Sequence, residues 1–425
     1  MTARPFLEEL FRTAIAAAHP SSCLPQHLPP APKSGRLIVL AAGKAAGSMA
    51  EVAEAAYADL PRARLTGIAV ARQGYGRPTR FIPMIEARHP IPDAAGLKAA
   101  EHALKLAAGA GLDDLVLVLL SGGASANWIA PVEGLSLADK QALTRALLRS
   151  GANIREINTV RKHLSRIKGG RLARLAQRAR VVTLAISDVP GDDPAVIGSG
   201  PTVPDPTTLA DARAVVARYR LDLPAVVTHA LADRANESPK AGDPAFASAE
   251  FKLIARPADA FRAAEQAVRA AGYECVTLGD RLEGEARDVA SDHAAQALAL
   301  QRQGRRAVVL SGGELTVTIR GQGRGGPNQE YALALALALQ AAPGIAALAG
   351  DTDGTDGGGG SADDPAGAWI DPTTLARAHS LGLDPAHFLS DNNSTGFFAR
   401  LGDLVETGPT WTNVNDFRAI VVDRP

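Results

Sequence analysis

Two apolar segments of the chain end in the same tripeptide, Ser-Gly-Gly. The first reads "LVLVLLSGGASA" and the second "AVVLSGGE". The tripeptides are Ser121, Gly122 and Gly123 and, much later, Ser311, Gly312 and Gly313. Backbone N–H groups in such turns can bind a phosphate or a carboxylate. Because Ser-Gly-Gly is also a common turn, each tripeptide alone is equally compatible with a purely structural bend.

A third loop, "AAGKAAGSMA", places Gly43 and Lys44 between an apolar strand and a helix. Helix N-termini attract anions through their free N–H groups, and Lys44 would add a full positive charge. The loop is not a P-loop, because Ile38 stands where that motif needs its first glycine and Ala45 where it needs Ser or Thr. It predicts an anion-binding turn, with a tight turn and a solvated lysine as the alternative.

The most glycine-rich segment, "RGQGRGGPNQEYAL", surrounds Arg324 with glycines and leads through Pro327 into an apolar helix. Proline suits the first helical position, and a guanidinium group fits a transferring phosphoryl group. We therefore interpret Arg324 as catalytic and Gly323, Gly325 and Asn328 as phosphate-binding. An exposed arginine in a glycine-rich hairpin is the alternative.

Two acidic loops offer metal ligands. "AISDVPGDDPAVIGSGPT" puts Asp188 directly after an apolar strand, where open α/β sheets bind ligands. Asp188 could hold Mg²⁺ or accept a proton from a substrate hydroxyl, and Ser199 and Gly200 could form another anion loop. "AGDTDGTDGGGG" offers Asp351 and Asp353 as metal ligands, although a flexible solvated loop remains open.

The segment "INTVRKHLSRIKGG" groups basic residues. Arg161 and Lys168 are seven residues apart, which predicts one helical face that could bind an acidic substrate. A basic, solvated helix is the common alternative. His89, in "HPIPD", is interpreted as part of a packing turn.

Alternating strands and helices must position these loops. Apolar runs at residues 36–42, 66–71, 81–87, 115–120 and 180–186 lie between helical segments. This pattern predicts an α/β fold whose N-terminal domain is Rossmann-like, with a mostly parallel sheet and helices on both faces. A polar linker at 234–247 separates domains at 1–235 and 245–425, the second a smaller α/β domain with a mixed sheet. The last strand could return to the first domain.

The bulk composition excludes several function classes. Lys and Arg total 45, as do Asp and Glu, so a nucleic-acid partner is not expected. No apolar run is long enough to span a membrane. The two cysteines lack partner motifs, and we expect a cytoplasmic protein.

One competing pattern favours a dehydrogenase. Gly321, Gly323 and Gly326 match G-x-G-x-x-G, and Asp351 follows about 25 residues later, as in dinucleotide-binding domains. The preceding "LTVTIR" alternates polar and apolar residues, which indicates an edge strand instead of a buried parallel one. An NAD(P)-dependent hydroxypyruvate reductase therefore stays as the alternative, and a non-catalytic sugar-acid or phosphate sensor as a third hypothesis.

Taken together, the segments resemble the glycerate 2-kinase family, the two-domain type with a C-terminal MOFRL region that is often labelled hydroxypyruvate reductase. The resemblance rests on "AAGKAAGSM", "LLSGGASA", "INTVRKHLSRIKGGRLA", "SDVPGDDPAVIGSGPTVPDPTT" and "LSGGELTVTIRGQGRGGPNQEYAL", in this order. It implies ATP-dependent phosphorylation of D-glycerate at the 2-hydroxyl, with Mg²⁺, and direct action of Lys44 and Arg324. It leaves room for a homodimer.

Overall fold

The computed structural model describes residues 3–357 and 361–423. The chain divides into two compact units. The continuous unit runs from Pro20 to Ile254, and the split unit combines the residues up to His19 with those from Ala255 onward. None of the described helices is long and apolar enough to cross a membrane.

The helices and strands alternate along most of the chain. The helices are α1 (Ala3–Ala18), α2 (Pro20–Cys23), α3 (Ala46–Ala56), α4 (Ala94–Ala108), α5 (Ala124–Asn127), α6 (Leu137–Arg149), α7 (Ile154–His163), α8 (Arg171–Leu175), α9 (Leu209–Arg218), α10 (Ala225–Ala232), α11 (Pro257–Ala270), α12 (Ala286–Arg302), α13 (Pro327–Leu339), α14 (Thr374–Ser380), α15 (Pro385–Ser390) and α16 (Ser394–Leu401). The strands are β1 (Leu37–Ala42), β2 (Leu65–Arg72), β3 (Met84–Ala87), β4 (Leu115–Leu120), β5 (Arg180–Ile186), β6 (Ala249–Ala255), β7 (Glu274–Gly279), β8 (Gly284–Glu285), β9 (Ala307–Gly312), β10 (Leu315–Thr316), β11 (Ile345–Asp351), β12 (Gly367–Ile370), β13 (Leu404–Val405) and β14 (Asp416–Val422).

The continuous unit is built on a six-stranded sheet in the order β3-β2-β1-β4-β5-β6. The pairs β3–β2, β2–β1, β1–β4 and β4–β5 are all parallel. Every residue of β1 and β4 is buried, because helices cover both faces of a parallel sheet. The carboxyl ends of β1 and β4 therefore lie side by side, and both candidate glycine turns begin there. The predicted α/β fold class is confirmed.

The split unit contains a mixed six-stranded sheet in the order β13-β12-β11-β14-β9-β7. Only β9 and β7 pair in parallel, and the other neighbours are antiparallel. Of the segment "LTVTIR" that was predicted as an edge strand, Leu315 and Thr316 alone form a strand, β10, which pairs in parallel with β8 in a separate two-stranded sheet.

The unit boundaries differ from those expected at 1–235 and 245–425. Helix α1 buries Phe6, Leu7, Leu10 and Phe11, and it packs on α11, β11 and β14 of the split unit. An amphipathic helix packs against the unit that buries its apolar face, and the position of the helix in the sequence does not reveal which unit that is. The predicted linker precedes β6, which still belongs to the first sheet, and β14 stays in the second.

Candidate active site

The turns after β1 and β4 are locked together through Gly43. Its φ of +118° is in the region that favours glycine, and a Cβ there would lie 2.4 Å from Ser121 Oγ and 2.7 Å from the Gly122 carbonyl oxygen. The Lys44 amide donates to the Gly122 carbonyl at 2.8 Å, and the Ala45 amide donates to Ser121 Oγ at 2.9 Å. These contacts fix Lys44 beside the first Ser-Gly-Gly turn.

The amide groups of Gly122 and Gly123 donate no hydrogen bond within the described chain. A Cβ on Gly123 would lie 3.4 Å from both Lys44 Cγ and His89 Cδ2, so the two side chains flank this turn. Two free amides and a neighbouring lysine are the components of an anion-binding turn. The sequence interpretation of His89 as a packing residue missed its place beside Gly123, which depends on tertiary contacts.

Asn127 also adjoins this turn and was not found from the sequence. It is fully buried, and its Oδ1 would lie 3.7 Å from a Cβ on Gly123. That oxygen accepts no hydrogen bond within the described chain, whereas Nδ2 donates to the Ala87 carbonyl at 3.3 Å.

The expected helical face carrying Arg161 and Lys168 was wrong. Helix α7 ends at His163, and Lys168 lies in the turns before α8. Gly169 and Gly170 both have positive φ, which a continuing helix cannot accommodate. The two side chains nevertheless lie near each other: burial lowers the pKa of Lys168 most, and the charge of Arg161 lowers it further.

Two buried lysines near Arg161 donate hydrogen bonds to backbone carbonyl groups of the same unit. Lys168, 1% exposed, donates to the carbonyls of Ser125 at 2.7 Å and Trp128 at 2.9 Å. Lys140, also 1% exposed, donates to the Leu164 carbonyl at 3.1 Å. Burial, together with neighbouring cations, lowers the pKa of Lys140 to about 7 and that of Lys168 well below its usual range.

Arg161 has no partner of its own in the described chain. Its side chain is half-buried, and it donates no hydrogen bond and forms no ion pair there. Burial lowers the pKa of the guanidinium, but an arginine stays charged. A desolvated cation beside two buried lysines is an electrostatically incomplete site, which an anion would complete.

The sequence suggested that the Ser199–Gly200 turn offers its backbone amides to a phosphate, but these amides are already bonded. Those amides donate to the carbonyls of Val196 at 2.8 Å and Ile197 at 2.9 Å. Asp188 is half-buried and lies two residues beyond the end of β5, at the carboxyl edge of the sheet, as predicted.

In the split unit, the Arg324 loop is packed tightly against its own chain. A Cβ on Gly323 or Gly325 would lie within 2.3 Å of Asn393 Cβ or 2.1 Å of Ser394 Oγ, so only glycine fits. Arg324 itself stays 67% exposed and reaches Asp364 at 3.0 Å. The loop thus holds its backbone rigidly while it presents the arginine.

Asn328 lies in a buried polar network instead of on an open surface. Its Nδ2 donates to Asp416 Oδ1 at 2.7 Å and to Asp356 Oδ1 at 3.2 Å. Asp356 also accepts from the amides of Asn328 and Gln329, which caps α13. Burial and the nearby Asp416 raise the pKa of Asp356 to about 7.

The remaining candidates serve mainly as local structure. Gly313 lies against Leu282, whose amide nitrogen would be 2.2 Å from a Cβ, so this turn is closed by its own unit. Asp351 Oδ1 accepts from the Asp353 amide, and Asp353 Oδ1 accepts from the Thr355 amide. No group of three or more potential ligands (His, Cys, Asp or Glu) for a metal occurs among the described residues. Residues 358–360, part of the glycine run of the second acidic loop, lie outside them.

Comparison with known proteins decides the family. Residues 6–232 match a domain of unknown function, DUF4147, and residues 307–416 match the MOFRL family. A D-glycerate 2-kinase of Thermotoga maritima is 37% identical, with 96% of this chain and 95% of that protein aligned. The crystal structure of a glycerate kinase from the same organism superimposes with a TM-score of 0.86 at 36% identity, covering 98% of this chain and 99% of the other.

The chain belongs to the glycerate 2-kinase family. Other relatives carry a different name. A protein of Agrobacterium vitis called a putative hydroxypyruvate reductase is 49% identical over 99% of this chain and 95% of its own length. The resemblance inferred from the motifs is confirmed.

The buried state of Lys140 in this family member predicts a stability change with pH. A lysine whose folded pKa is near 7 and whose unfolded pKa is 10.5 contributes stability that is lost as pH falls toward 7. The free energy of unfolding of the wild type should therefore rise between pH 7 and pH 10 more steeply than that of Lys140→Met. Urea unfolding at four pH values measures this, with the exposed Lys105→Met as control. Equal slopes for wild type and Lys140→Met would contradict the buried, depressed lysine.

Proposed function

We propose that this chain is an ATP-dependent D-glycerate 2-kinase, which transfers the γ-phosphoryl group of ATP to the 2-hydroxyl and releases 2-phosphoglycerate and ADP. One observation carries the proposal: the half-buried Arg161, which has no partner in the described chain, lies near Lys168. Lys168 in turn donates to the carbonyl of Ser125, in the short helix α5 that directly follows the free amides of Gly122 and Gly123. A carboxylate site thereby adjoins a phosphate site. The glycerate kinase names of the relatives support the same activity.

Phosphoryl transfer needs positioning and charge neutralisation more than covalent help from the protein. In the proposed mechanism, the amides of Gly122 and Gly123 and the ammonium group of Lys44 bind the transferring phosphoryl group. Gly43 and Ser121 act indirectly, because their contact holds Lys44 beside those amides. Donors fixed in advance stabilise developing charge without reorganisation in the transition state.

Arg161 is proposed to bind the carboxylate of glycerate. A guanidinium group can form two parallel hydrogen bonds with a carboxylate, which fixes orientation as well as affinity. Lys168 does not need to contact the substrate, because its side-chain nitrogen already donates hydrogen bonds to the carbonyl groups of Ser125 and Trp128. Its charge, when protonated, strengthens the field at Arg161.

Asp188 is proposed to orient and accept the proton of the 2-hydroxyl. Its half-buried position beyond β5 and its carboxylate suit that task. The backbone turn of Ser199 and Gly200 contributes structure and one serine hydroxyl, since both amides are already bonded.

Arg324 is proposed as a second cation for the γ-phosphoryl group. Its exposed guanidinium on a rigid backbone supports this assignment. The conformation of the Arg324 loop then depends on Gly323, Gly325 and Asn328. A direct phosphate contact remains a prediction for these three residues and for Ser311, Gly312 and Gly313.

Mg²⁺ is proposed as the metal of the nucleotide. Asp188, Asp351 and Asp353 carry the hard oxygen atoms that this ion prefers, and Mg²⁺ beside phosphates needs only one or two protein carboxylates. When bound, the ion would neutralise phosphate charge.

A reaction that consumes ATP also suits the cytoplasm, which we propose as the location of the protein. A homodimer is compatible with the proposed function.

The reductase alternative loses its local support. The glycines that imitate a dinucleotide fingerprint follow the two-residue strand β10, which belongs to a two-stranded sheet. In dinucleotide-binding domains the fingerprint follows a buried parallel strand. Here Gly321 and Gly323 pack closely against Asp391 and Asn393, and Gly326 packs closely against Asp356.

A coupled assay tests the proposed function. Purified protein is mixed with D-glycerate, ATP and Mg²⁺, and phosphoenolpyruvate is followed after addition of enolase, which accepts the 2-phosphate and not the 3-phosphate. We expect ADP to equal the sum of 2-phosphoglycerate and phosphoenolpyruvate, because enolase interconverts these two products reversibly. ADP without phosphoenolpyruvate would contradict the 2-position. Absence of both, together with oxidation of NAD(P)H by hydroxypyruvate, would establish the reductase instead.

The role of Arg324 predicts a large kinetic effect with little effect on stability. Arg324→Ala should lower kcat by about 100-fold or more, because a cation acting on transition-state charge is lost. The thermal midpoint should stay near that of the wild type, since the side chain is mostly exposed. Arg320→Ala, an exposed arginine of the same loop, is the matched control and should keep kcat. A normal kcat for Arg324→Ala would remove Arg324 from the mechanism.

A further inference from the structure

A chain of hydroxyl groups ends at Ser125, beside the proposed carboxylate site. Ser125 Oγ lies 2.7 Å from Ser199 Oγ, and Ser199 Oγ donates to Asn158 Oδ1 at 3.4 Å. Ser199 and Asn158 are buried, whereas Ser125 is partly exposed. The chain therefore runs from a buried amide to one accessible hydroxyl.

The direction of these hydrogen bonds decides whether Ser125 can accept a further hydrogen bond. A serine hydroxyl has one proton and two acceptor lone pairs. Either oxygen can be the donor between Ser125 and Ser199, and when Ser199 donates to Asn158, Ser125 donates to Ser199. In that arrangement Ser125 Oγ accepts no hydrogen bond within the described chain, so its lone pairs can accept one from a ligand N–H or O–H group.

The surrounding backbone holds this hydroxyl in place. Gly198, Ser199 and Gly200 all have positive φ, which is rare for serine and aims Ser199 at its two partners. On the other side, Lys168 donates to the Ser125 carbonyl at 2.7 Å. Asn158 and Arg161 are three residues apart on α7, so they lie on the same helical face. The hydroxyl chain and the unpartnered guanidinium thus share one helix.

We propose that Ser125 is a specificity-determining residue that accepts a hydrogen bond from the non-reacting 3-hydroxyl of the substrate while Arg161 binds its carboxylate. The proposal rests on the proposed kinase function. It assigns the 3-hydroxyl because the 2-hydroxyl must lose its proton, and Ser125, with no acceptor left beyond Ser199, cannot serve as the base. A two-point contact of this kind selects hydroxy acids with a terminal hydroxyl over those that end in a methyl group.

The test compares D-glycerate with D-lactate, which has the same carboxylate and 2-hydroxyl but lacks the 3-hydroxyl. The KM of D-glycerate and the inhibition constant of D-lactate are measured for wild type, Ser125→Ala and Ser125→Thr. Ser125→Ala should raise the KM of D-glycerate by about 3- to 10-fold, the effect of one lost hydrogen bond. Ser125→Thr, which keeps the hydroxyl, should recover part of that loss.

The readouts separate recognition from a structural role. The KM of ATP and the inhibition constant of D-lactate should stay within about twofold of the wild type in Ser125→Ala. Ser150→Ala, which removes a hydroxyl bonded to the Leu147 carbonyl in the same unit, is the matched control. Equal weakening of D-lactate and D-glycerate, a changed KM for ATP, or an unchanged KM for D-glycerate would each overturn the proposal. A wild type without kinase activity would instead refute the proposed function, and the binding constants of the two acids, measured by calorimetry, would still decide the role of Ser125.

Discussion

The close contact between Gly43 and the Ser121 turn is the constraint on which the rest of the continuous unit's site depends. Strands β1 and β4 are neighbours in a parallel sheet, so their carboxyl ends meet. The turns that follow can approach this closely only because Gly43 has no side chain and can adopt a positive φ. Their hydrogen bonds fix the Lys44 backbone, and the Gly122 and Gly123 amides donate to no group among the described residues. A side chain at position 43 would displace all of these groups together.

The second organising feature is positive charge that the protein buries without a carboxylate partner. Burial, and then the charge of Arg161, lowers the pKa of both Lys140 and Lys168, and among the described residues the two lysine side chains donate only to carbonyl oxygens. Such an arrangement is costly in the empty protein, and it is relieved when an anion binds. Because protonated lysines favour that anion, binding of an acidic substrate should be coupled to proton uptake near neutral pH. In the polar core of the split unit, by contrast, the charges are paired: Asp356 and Asp416 both accept from Asn328, and the buried Arg418 lies 2.6 Å from Asp416.

Local sequence patterns were sufficient to predict the parallel sheet and the positions of the turns that carry Lys44 and Arg324. Continuous apolar runs gave β1, β4 and β5 nearly to the residue, because buried parallel strands leave little ambiguity. The same reasoning failed where tertiary contacts decide. Nothing local indicates that α1 packs with the second sheet, or that the helix carrying Arg161 ends before Lys168. The place of His89 beside Gly123, and the pairing of Ser125 with Ser199 across 74 positions, likewise arise only on folding.

Nucleotide binding to a Gly123→Ala variant tests the central claim, that the turn after β4 is the phosphate site. The methyl group would enter the space between Lys44 and His89, 3.4 Å from each, at a φ of +84°. Gly151→Ala is the matched control, since Gly151 has a φ of +76° and nothing within 4 Å. Calorimetry with a non-hydrolysable ATP analogue and Mg²⁺ should show at least a tenfold weaker Kd for Gly123→Ala, and a Kd close to that of the wild type for Gly151→Ala. Wild-type nucleotide affinity in a folded Gly123→Ala variant would contradict the account.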